Sequence, residues 1–88
     1  MLKLNITRQV KRFLDTLPPK QFRQVVNKIL ELMNNPAPHD SIKMKDYPYK
    51  RADIGEYRIV YRVENECVMI ACVGKRNDNE IYKILKRK

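Results

Sequence analysis

The chain contains few of the residues from which metal and nucleotide sites are built. It has one histidine, two cysteines, two glycines and no tryptophan among its 88 residues. His39 stands alone, and no cysteine or carboxylate cluster has the spacing of metal ligands. Two glycines cannot form a glycine-rich phosphate loop, and no pair of carboxylates stands out as a catalytic acid and base. We therefore expect no metal and no cofactor.

Long apolar segments are absent as well. No run approaches the roughly 20 residues that span a bilayer, and residues 1–6 lack the apolar block and the small-residue cleavage site of a signal peptide. Cys67 and Cys72 lie in one apolar run and are expected to be buried, reduced thiols. These features are typical of a cytoplasmic protein, and the length predicts a single domain over residues 1–88.

Positive charge is what the chain has in excess. Nineteen lysines and arginines against ten aspartates and glutamates give a net charge of +9. Such an excess favours a polyanionic partner, of which nucleic acid is the commonest, although an acidic protein would be attracted by the same field. A hydrophobic fraction of 43%, arranged in organised runs, indicates that a folded chain carries this charge.

Hydrophobic periodicity predicts the order strand, two helices, three strands and a final helix. The second helix begins near Pro18-Pro19, and Asn77 or Asp78 is a candidate cap for the last helix. The pattern predicts an α+β fold, in which a helical hairpin packs on a small, mainly antiparallel, four-stranded sheet. Strands are predicted at 2–6, near 47–54, at 57–63 and at 67–73, and the last is so nearly apolar that we expect it to be covered on both faces. Thr7 is the expected cap of a first helix at about 8–16. The second helix carries the apolar residues from Phe22 to Met33, residues 36–46 form a loop, and a short last helix carries Ile81, Ile84 and Leu85.

Cations at the ends of the predicted strands are expected to converge. If the strands on either side of a turn at 64–66 pair, Arg58 lies opposite about residue 72. Arg58 is then near the strand end from which Lys75 and Arg76 emerge. This arrangement predicts a cationic cluster at one end of the sheet.

The preceding strand and the last helix add to this region. Lys50 and Arg51 come from the strand before the tight turn at Gly55, and Arg62 shares a strand face with Arg58. Tyr82 lies at the edge of the apolar stripe of the last helix, where its ring can pack while its hydroxyl remains available. Simpler interpretations stay open, because an edge tyrosine is often structural and an arginine pair on a strand is often only solvated.

Metal-free RNA cleavage is the chemistry that such a cluster allows. The ribose 2′-OH attacks its own 3′-phosphate, which requires a base, cations around the phosphate and an acid for the leaving 5′-oxygen. Positive charge lowers the pKa of a neighbouring phenol or ammonium group, so Tyr82 beside Arg58 and Arg76 is a candidate base. The two arginines would hold the phosphate, and Lys50 or Arg51 would neutralise it or assist the leaving group.

Two stretches of the chain resemble a known family. GEYRIVYRV at 55–63, followed by an apolar strand and VGKRNDNEIY at 73–82, is similar to the RelE toxins of prokaryotic toxin–antitoxin pairs. The helical hairpin and the strand order also fit the RelE/ParE-like superfamily. The resemblance implies a ribosome-dependent endoribonuclease that cuts mRNA in the ribosomal A site, and a cognate antitoxin that binds and blocks it in a hetero-oligomer.

The resemblance also assigns roles to single residues. Arg58 and Arg76 correspond to the arginines of the family, and Tyr82 corresponds to the tyrosine that acts as general base or stands beside it. Lys50 is matched to a lysine of the strand before the turn, with Arg51 as the alternative. The further cations expected to contact RNA are Lys43, Lys45, Arg62, Lys75 and Lys83.

Two other functions remain open on the sequence. A ParE-like gyrase inhibitor would share the fold, but those relatives generally lack the tyrosine and the cations that Tyr82, Arg76 and Arg58 represent. A non-catalytic, basic nucleic-acid-binding module on the same fold is the third interpretation.

Overall fold

The structure is a computed structural model and describes residues 1–77 and 79–86. The described strands form one sheet in the order β1-β5-β4-β3-β2, in which β1 runs parallel to β5 and the other pairs are antiparallel. The predicted α+β class with a mainly antiparallel sheet is confirmed. The elements are β1 (Lys3–Ile6), α1 (Arg8–Asp15), α2 (Pro19–Asn34), β2 (Ser41–Lys43), β3 (Lys50–Ile54), β4 (Tyr57–Glu64), β5 (Cys67–Lys75) and α3 (Glu80–Lys86).

The sheet of the described residues has five strands, where four were predicted. The additional strand is β2, which pairs with β3 at the edge of the sheet, within a segment predicted to be a loop. Three residues are too few for an alternating pattern to be recognised, and prolines shortly before them favour a loop. Asp78, one of the two candidate caps of the last helix, lies outside the described residues.

Helices α1 and α2 pack on one face of the sheet. Thr7 caps α1 as predicted, and its hydroxyl donates a hydrogen bond to the Ala71 carbonyl at 3.0 Å, which ties the helix to β5. Among the described residues, no helix is both long enough and apolar enough to cross a membrane. The core of this face contains Val10, Leu14, Val25, Ile29, Leu32, Ala52, Tyr57, Ile59, Tyr61, Val68, Ile70 and Val73.

Helix α3 and the segment before β3 cover the opposite face. A second core lies there, formed by Met44, Val60, Ala71, Cys72, Ile81 and Leu85. Gly74 allows α3 to approach β5 closely, because a Cβ at this position would lie 3.2 Å from the Glu80 Cβ and 3.4 Å from the Ile81 Cγ2. Strand β5 is therefore covered on both faces, as its nearly continuous apolar sequence predicted.

A bulge in β5 alters the predicted register between β4 and β5. Val60 pairs with Cys72 while Tyr61 pairs with Ile70, which leaves Ala71 as the extra residue. The turn is also one residue shorter than predicted, since Glu64 already pairs with Cys67. The prediction that Arg58 lies opposite residue 72 is therefore wrong by two positions. Its partner is Gly74, and this brings Arg58 closer to the end of β5.

The turn between β4 and β5 gives a testable prediction about stability. Asn65 and Glu66 both have left-handed backbone, with φ of 51° and 62°, as a two-residue turn of this hand requires. Asparagine tolerates this conformation, whereas glutamate is disfavoured there. We expect Glu66→Gly to raise the free energy of unfolding by about 1 kcal/mol, measured by urea denaturation. Glu66→Ala, which removes the same carboxylate but keeps a Cβ, should give no such gain, and an equal gain would contradict this explanation.

Candidate functional site

Asp53 lies between two arginines at the centre of the cationic cluster. Arg58 donates from Nε to Oδ1 at 2.8 Å and from Nη2 to Oδ2 at 3.3 Å. Arg76 places its Nη1 3.9 Å from the same Oδ2. The side chain of Arg58 is only 14% exposed and that of Arg76 is 45% exposed. Arg58 is therefore held against the sheet, while Arg76 reaches the carboxylate from just beyond the end of β5.

Backbone pairing explains why these side chains meet. Asp53 and Arg58 are direct cross-strand partners in β3 and β4, and Arg58 in turn pairs with Gly74 of β5. The N–H of Arg76 donates to the Glu56 carbonyl at 2.8 Å, which fixes the chain just beyond β5 against the turn between β3 and β4. Both arginines therefore reach the cluster from ordered backbone.

Tyr82 approaches the cluster from α3. It is half-buried and packs against the second core, beside Tyr47. The pKa of Arg58 is raised, mainly by its hydrogen bond to Asp53, against the opposing effect of burial, and further by the charge of Asp53 and by the neighbouring Tyr82 hydroxyl. The phenol also borders an open cleft of about 290 Å³, whose other lining residues are Met44, Lys45, Asp46, Tyr47 and Lys86.

The arginines hold the pKa of Asp53 below its usual value of 3.8. The hydrogen bond from Arg58 is the largest cause and outweighs the effect of burial. The charges of Arg58, Arg76 and Arg51 act in the same direction. Asp53 is therefore an ionised carboxylate at neutral pH, within a cluster of three arginines.

The lowered pKa of Asp53 predicts how stability depends on pH. The unfolded chain binds this proton at a higher pH than the folded protein does, so the stabilisation is present above the unfolded pKa of 3.8 and is lost as the pH falls through the lower folded pKa. We expect Asp53→Asn to be less stable than the wild type near neutral pH, with a difference that shrinks in acid. Urea unfolding across a pH series measures this, and a difference that stays constant or grows in acid would contradict it.

The register separates the two cations that the sequence left as alternatives. Arg51 pairs with Val60 and is two residues from Asp53, so it shares the sheet face of Arg58. Lys50 pairs with Tyr61, whose side chain belongs to the core under α1 and α2. By alternation Lys50 therefore belongs to the opposite face. Of the two cations, the register thus places Arg51, and not the preferred match Lys50, on the sheet face of Asp53 and Arg58.

The other predicted RNA contacts are spread around this centre. Arg62 is on the face of Arg58, but it is ion-paired with Glu64 at 3.1 Å and lies over the Tyr49 ring, 6.0 Å from its centroid. Lys75 is exposed where β5 ends. Three further cations are exposed elsewhere: Lys43 on the edge strand β2, Lys45 beside the Tyr82 cleft and Lys83 on α3.

Asp53 is the member of the cluster that sequence reasoning missed. A lone aspartate beside basic residues is most simply interpreted as a surface residue. The available signal was the tight turn at Gly55, because a two-residue loop makes Asp53 the partner of Arg58. Within residues 1–77 and 79–86, no three His, Cys, Asp or Glu side chains gather closely enough to hold a metal ion.

The model of the ParE toxin of type II toxin–antitoxin systems (parDE) matches residues 4–80. A comparison with curated protein sequences finds no match.

Several solved structures are similar to this chain. RelE in the archaeal RelE–RelB complex of Pyrococcus horikoshii OT3 is 26% identical, with 85% of this chain and 94% of that chain covered and a TM-score of 0.76. The RelBE2 toxin–antitoxin complex of Mycobacterium tuberculosis matches at 26% identity, with 85% and 98% covered and a TM-score of 0.73. The isolated RelE toxin of E. coli, at 20% identity, covers 97% of this chain and 99% of its own, and its TM-score of 0.73 shows the same fold.

Proposed function

The chain belongs to the ParE toxin family of type II toxin–antitoxin systems, within the RelE/ParE superfamily. We propose that it is a ribosome-dependent endoribonuclease that cleaves mRNA in the ribosomal A site. The observation that carries the proposal is the convergence of Arg58, Arg76 and Tyr82. These side chains supply the cations and the proton acceptor that cleavage by a ribose 2′-OH requires.

The proposed reaction uses the side chains of the cluster and one proton from solvent. The phenolate form of Tyr82 accepts the proton of the 2′-OH and becomes the phenol, and the 2′-oxygen then bonds to the adjacent phosphorus while the bond to the 5′-oxygen breaks. The products are a 2′,3′-cyclic phosphate and a 5′-hydroxyl, whose proton comes from solvent. Arg58 and Arg76 stabilise the charge that develops on the phosphate oxygens, and Arg51 adds positive charge from the same sheet face.

The openness of the cluster supports a role for the ribosome. Arg76 is half-exposed, and the cleft beside Tyr82 is open to solvent. A surface of this kind attracts RNA through the net charge of +9 but does not by itself orient one phosphodiester bond. We therefore assign the orientation of the mRNA to the ribosome, which places the activity in the cytoplasm.

A cognate antitoxin is part of the same proposal. Two of the similar structures are toxin–antitoxin complexes, and the cationic cluster here would attract an acidic segment of such a partner. Co-expression with the protein encoded beside this chain should relieve growth arrest and yield a stable hetero-oligomer. Growth arrest that persists, with no complex on size-exclusion chromatography, would contradict the antitoxin assignment.

Inhibition of DNA gyrase is the second candidate function, and the match to the ParE model favours it. One pair of assays separates the two candidates. The purified protein is added to a translating extract in which mRNA 5′ ends are mapped, and in parallel to gyrase acting on relaxed plasmid. Cuts inside codons support the endoribonuclease. Intact mRNA with blocked supercoiling supports the gyrase inhibitor. If the protein has no effect in either assay, the non-catalytic binding module is the remaining candidate.

A further inference from the structure

We propose that Asp53 is a positioning residue for mRNA cleavage, which fixes the guanidinium of Arg58 so that its remaining N–H groups face the phosphate and Tyr82. The inference rests on the proposed endoribonuclease function. It concerns a carboxylate that lies in the middle of a site for an anionic substrate, where a negative charge is at first unexpected.

The contact between Asp53 and Arg58 restricts a flexible side chain. An arginine has five N–H donors in a rigid plane, and Asp53 engages Nε and Nη2 together at 2.8 and 3.3 Å. Such a two-point contact fixes the plane of the guanidinium as well as its position. Asp53 thereby occupies one edge of the Arg58 guanidinium. The N–H groups of Nη1 and the second N–H of Nη2 remain available to bind a phosphate.

Arg76 is held much less firmly by the same carboxylate. Its Nη1 lies 3.9 Å from the Asp53 Oδ2, beyond hydrogen-bond distance, and nearly half of its side chain is exposed. Asp53 thus divides the pair into a fixed arginine and an adjustable one. Arg58 defines where the phosphate binds, and Arg76 can close on it as charge develops.

The Arg62–Glu64 pair shows that this arrangement is specific to the cluster. Arg62 lies on the same strand and face as Arg58, yet its carboxylate contact joins residues of one strand, and both side chains are at least 41% exposed. An exposed pair of this type contributes little and restrains little. Asp53 instead comes from the neighbouring strand and meets an arginine that is largely buried.

A carboxylate in this place has a cost for RNA binding. The negative charge of Asp53 repels a phosphate that approaches the three arginines, so its removal should leave the affinity for the programmed ribosome unchanged or increased. Removal also frees Arg58 to rotate, which should slow the chemical step. Tighter or equal binding with slower cleavage is a combination that a merely structural role would not produce.

The test is single-turnover cleavage by purified protein in excess over ribosomes that hold a defined mRNA codon in the A site. We expect Asp53→Asn to lower the maximal rate on the order of 10- to 100-fold, with a half-saturating concentration equal to or below that of the wild type. Glu56→Gln, which makes the same change of charge in the exposed turn beside β4, should leave both values unchanged. A rate for Asp53→Asn within threefold of the wild type, or a loss confined to affinity, would overturn the proposal.

A double-variant comparison tests whether Asp53 acts through Arg58. In an Arg58→Lys background the planar partner is already lost, so Asp53→Asn should cost little more. A second loss of the full size would show that Asp53 acts by another route and would overturn the proposal.

A spectroscopic measurement tests the restraint independently of activity. The ¹⁵Nε–H signal of Arg58 should exchange slowly with water in the wild type and rapidly in Asp53→Asn, while the thermal unfolding curve confirms that the variant is folded. Equal exchange in the two proteins would overturn the positioning role.

The cleavage assay also separates failure of the inference from failure of the proposed function. If the wild type cuts no mRNA on the ribosome, the proposed function fails together with the inference. If the wild type cuts and Asp53→Asn cuts equally fast, only the inference fails.

Discussion

Replacing Arg76 with alanine is expected to slow mRNA cleavage on the ribosome on the order of 100- to 1,000-fold. In the proposed mechanism Arg76 is the adjustable cation of the cluster, and its positive charge would stabilise the phosphate as negative charge develops in the transition state. Because its side chain is half-exposed and its contact with Asp53 is long, the substitution should leave the free energy of unfolding nearly unchanged. The effect should appear in the maximal single-turnover rate.

The matched control for this substitution is Arg23→Ala. Arg23 is an exposed arginine on α2, on the face of the sheet opposite to the cluster. The substitution Arg23→Ala removes the same charge as Arg76→Ala and should change the cleavage rate less than threefold. Equal losses in the two variants would show that net charge matters and that the position of Arg76 does not.

Replacing Tyr82 with phenylalanine is expected to reduce the rate on the order of 100- to 10,000-fold. The substitution removes one oxygen and keeps the ring that packs beside Tyr47 and the second core, so α3 should stay in place. What is lost is the group assigned to accept the 2′-OH proton. Single-turnover cleavage measures the rate, and circular dichroism confirms that the helix is retained.

Tyr57→Phe serves as the control for the tyrosine. Tyr57 precedes Arg58 in the chain, but its ring faces α1 and meets Phe13 edge to face, 5.8 Å between centroids. The loss of the hydroxyl in Tyr57→Phe should therefore not affect the cleavage rate. If Tyr82→Phe also cuts at nearly the wild-type rate, Tyr82 is a packing residue and another group must accept the proton.

Much of the fold could be predicted because local patterns agree with it. Thr7 caps α1 and Pro19 starts α2, each by backbone chemistry that single residues reveal. Gly55, at φ +56°, marks the turn between β3 and β4 as predicted. The apolar run of β5 was predicted to be a covered strand, and it lies between β1 and β4 with a core on each face.

What the sequence missed depends on pairing between strands. The bulge at Ala71 leaves no mark in an apolar run, yet it helps move Arg58 from residue 72 to Gly74. Strand β2 has only three residues and forms because β3 offers an edge. These features arise from tertiary contacts that a single strand pattern does not encode.

The candidate site, like the fold, was predicted in part from the sequence and depends in part on strand pairing. The resemblance assigned roles to Arg58, Arg76 and Tyr82, which lie close together in the structure. For the strand before the turn it favoured Lys50 over Arg51. A shift of one residue exchanges the faces of a strand, and the observed register puts Arg51 beside Asp53. Asp53 could be recognised as a member of the cluster only once its cross-strand partner, Arg58, was known.

The most direct test of the account compares two mRNAs in the A site of purified ribosomes. They differ in one nucleotide, which carries a 2′-OH or a 2′-O-methyl group at the position of the cut. The account predicts that the wild-type protein cleaves the first to a 2′,3′-cyclic phosphate and leaves the second intact. Cleavage of both, or of neither, would contradict the proposal that Arg58, Arg76 and Tyr82 promote attack by the ribose 2′-OH.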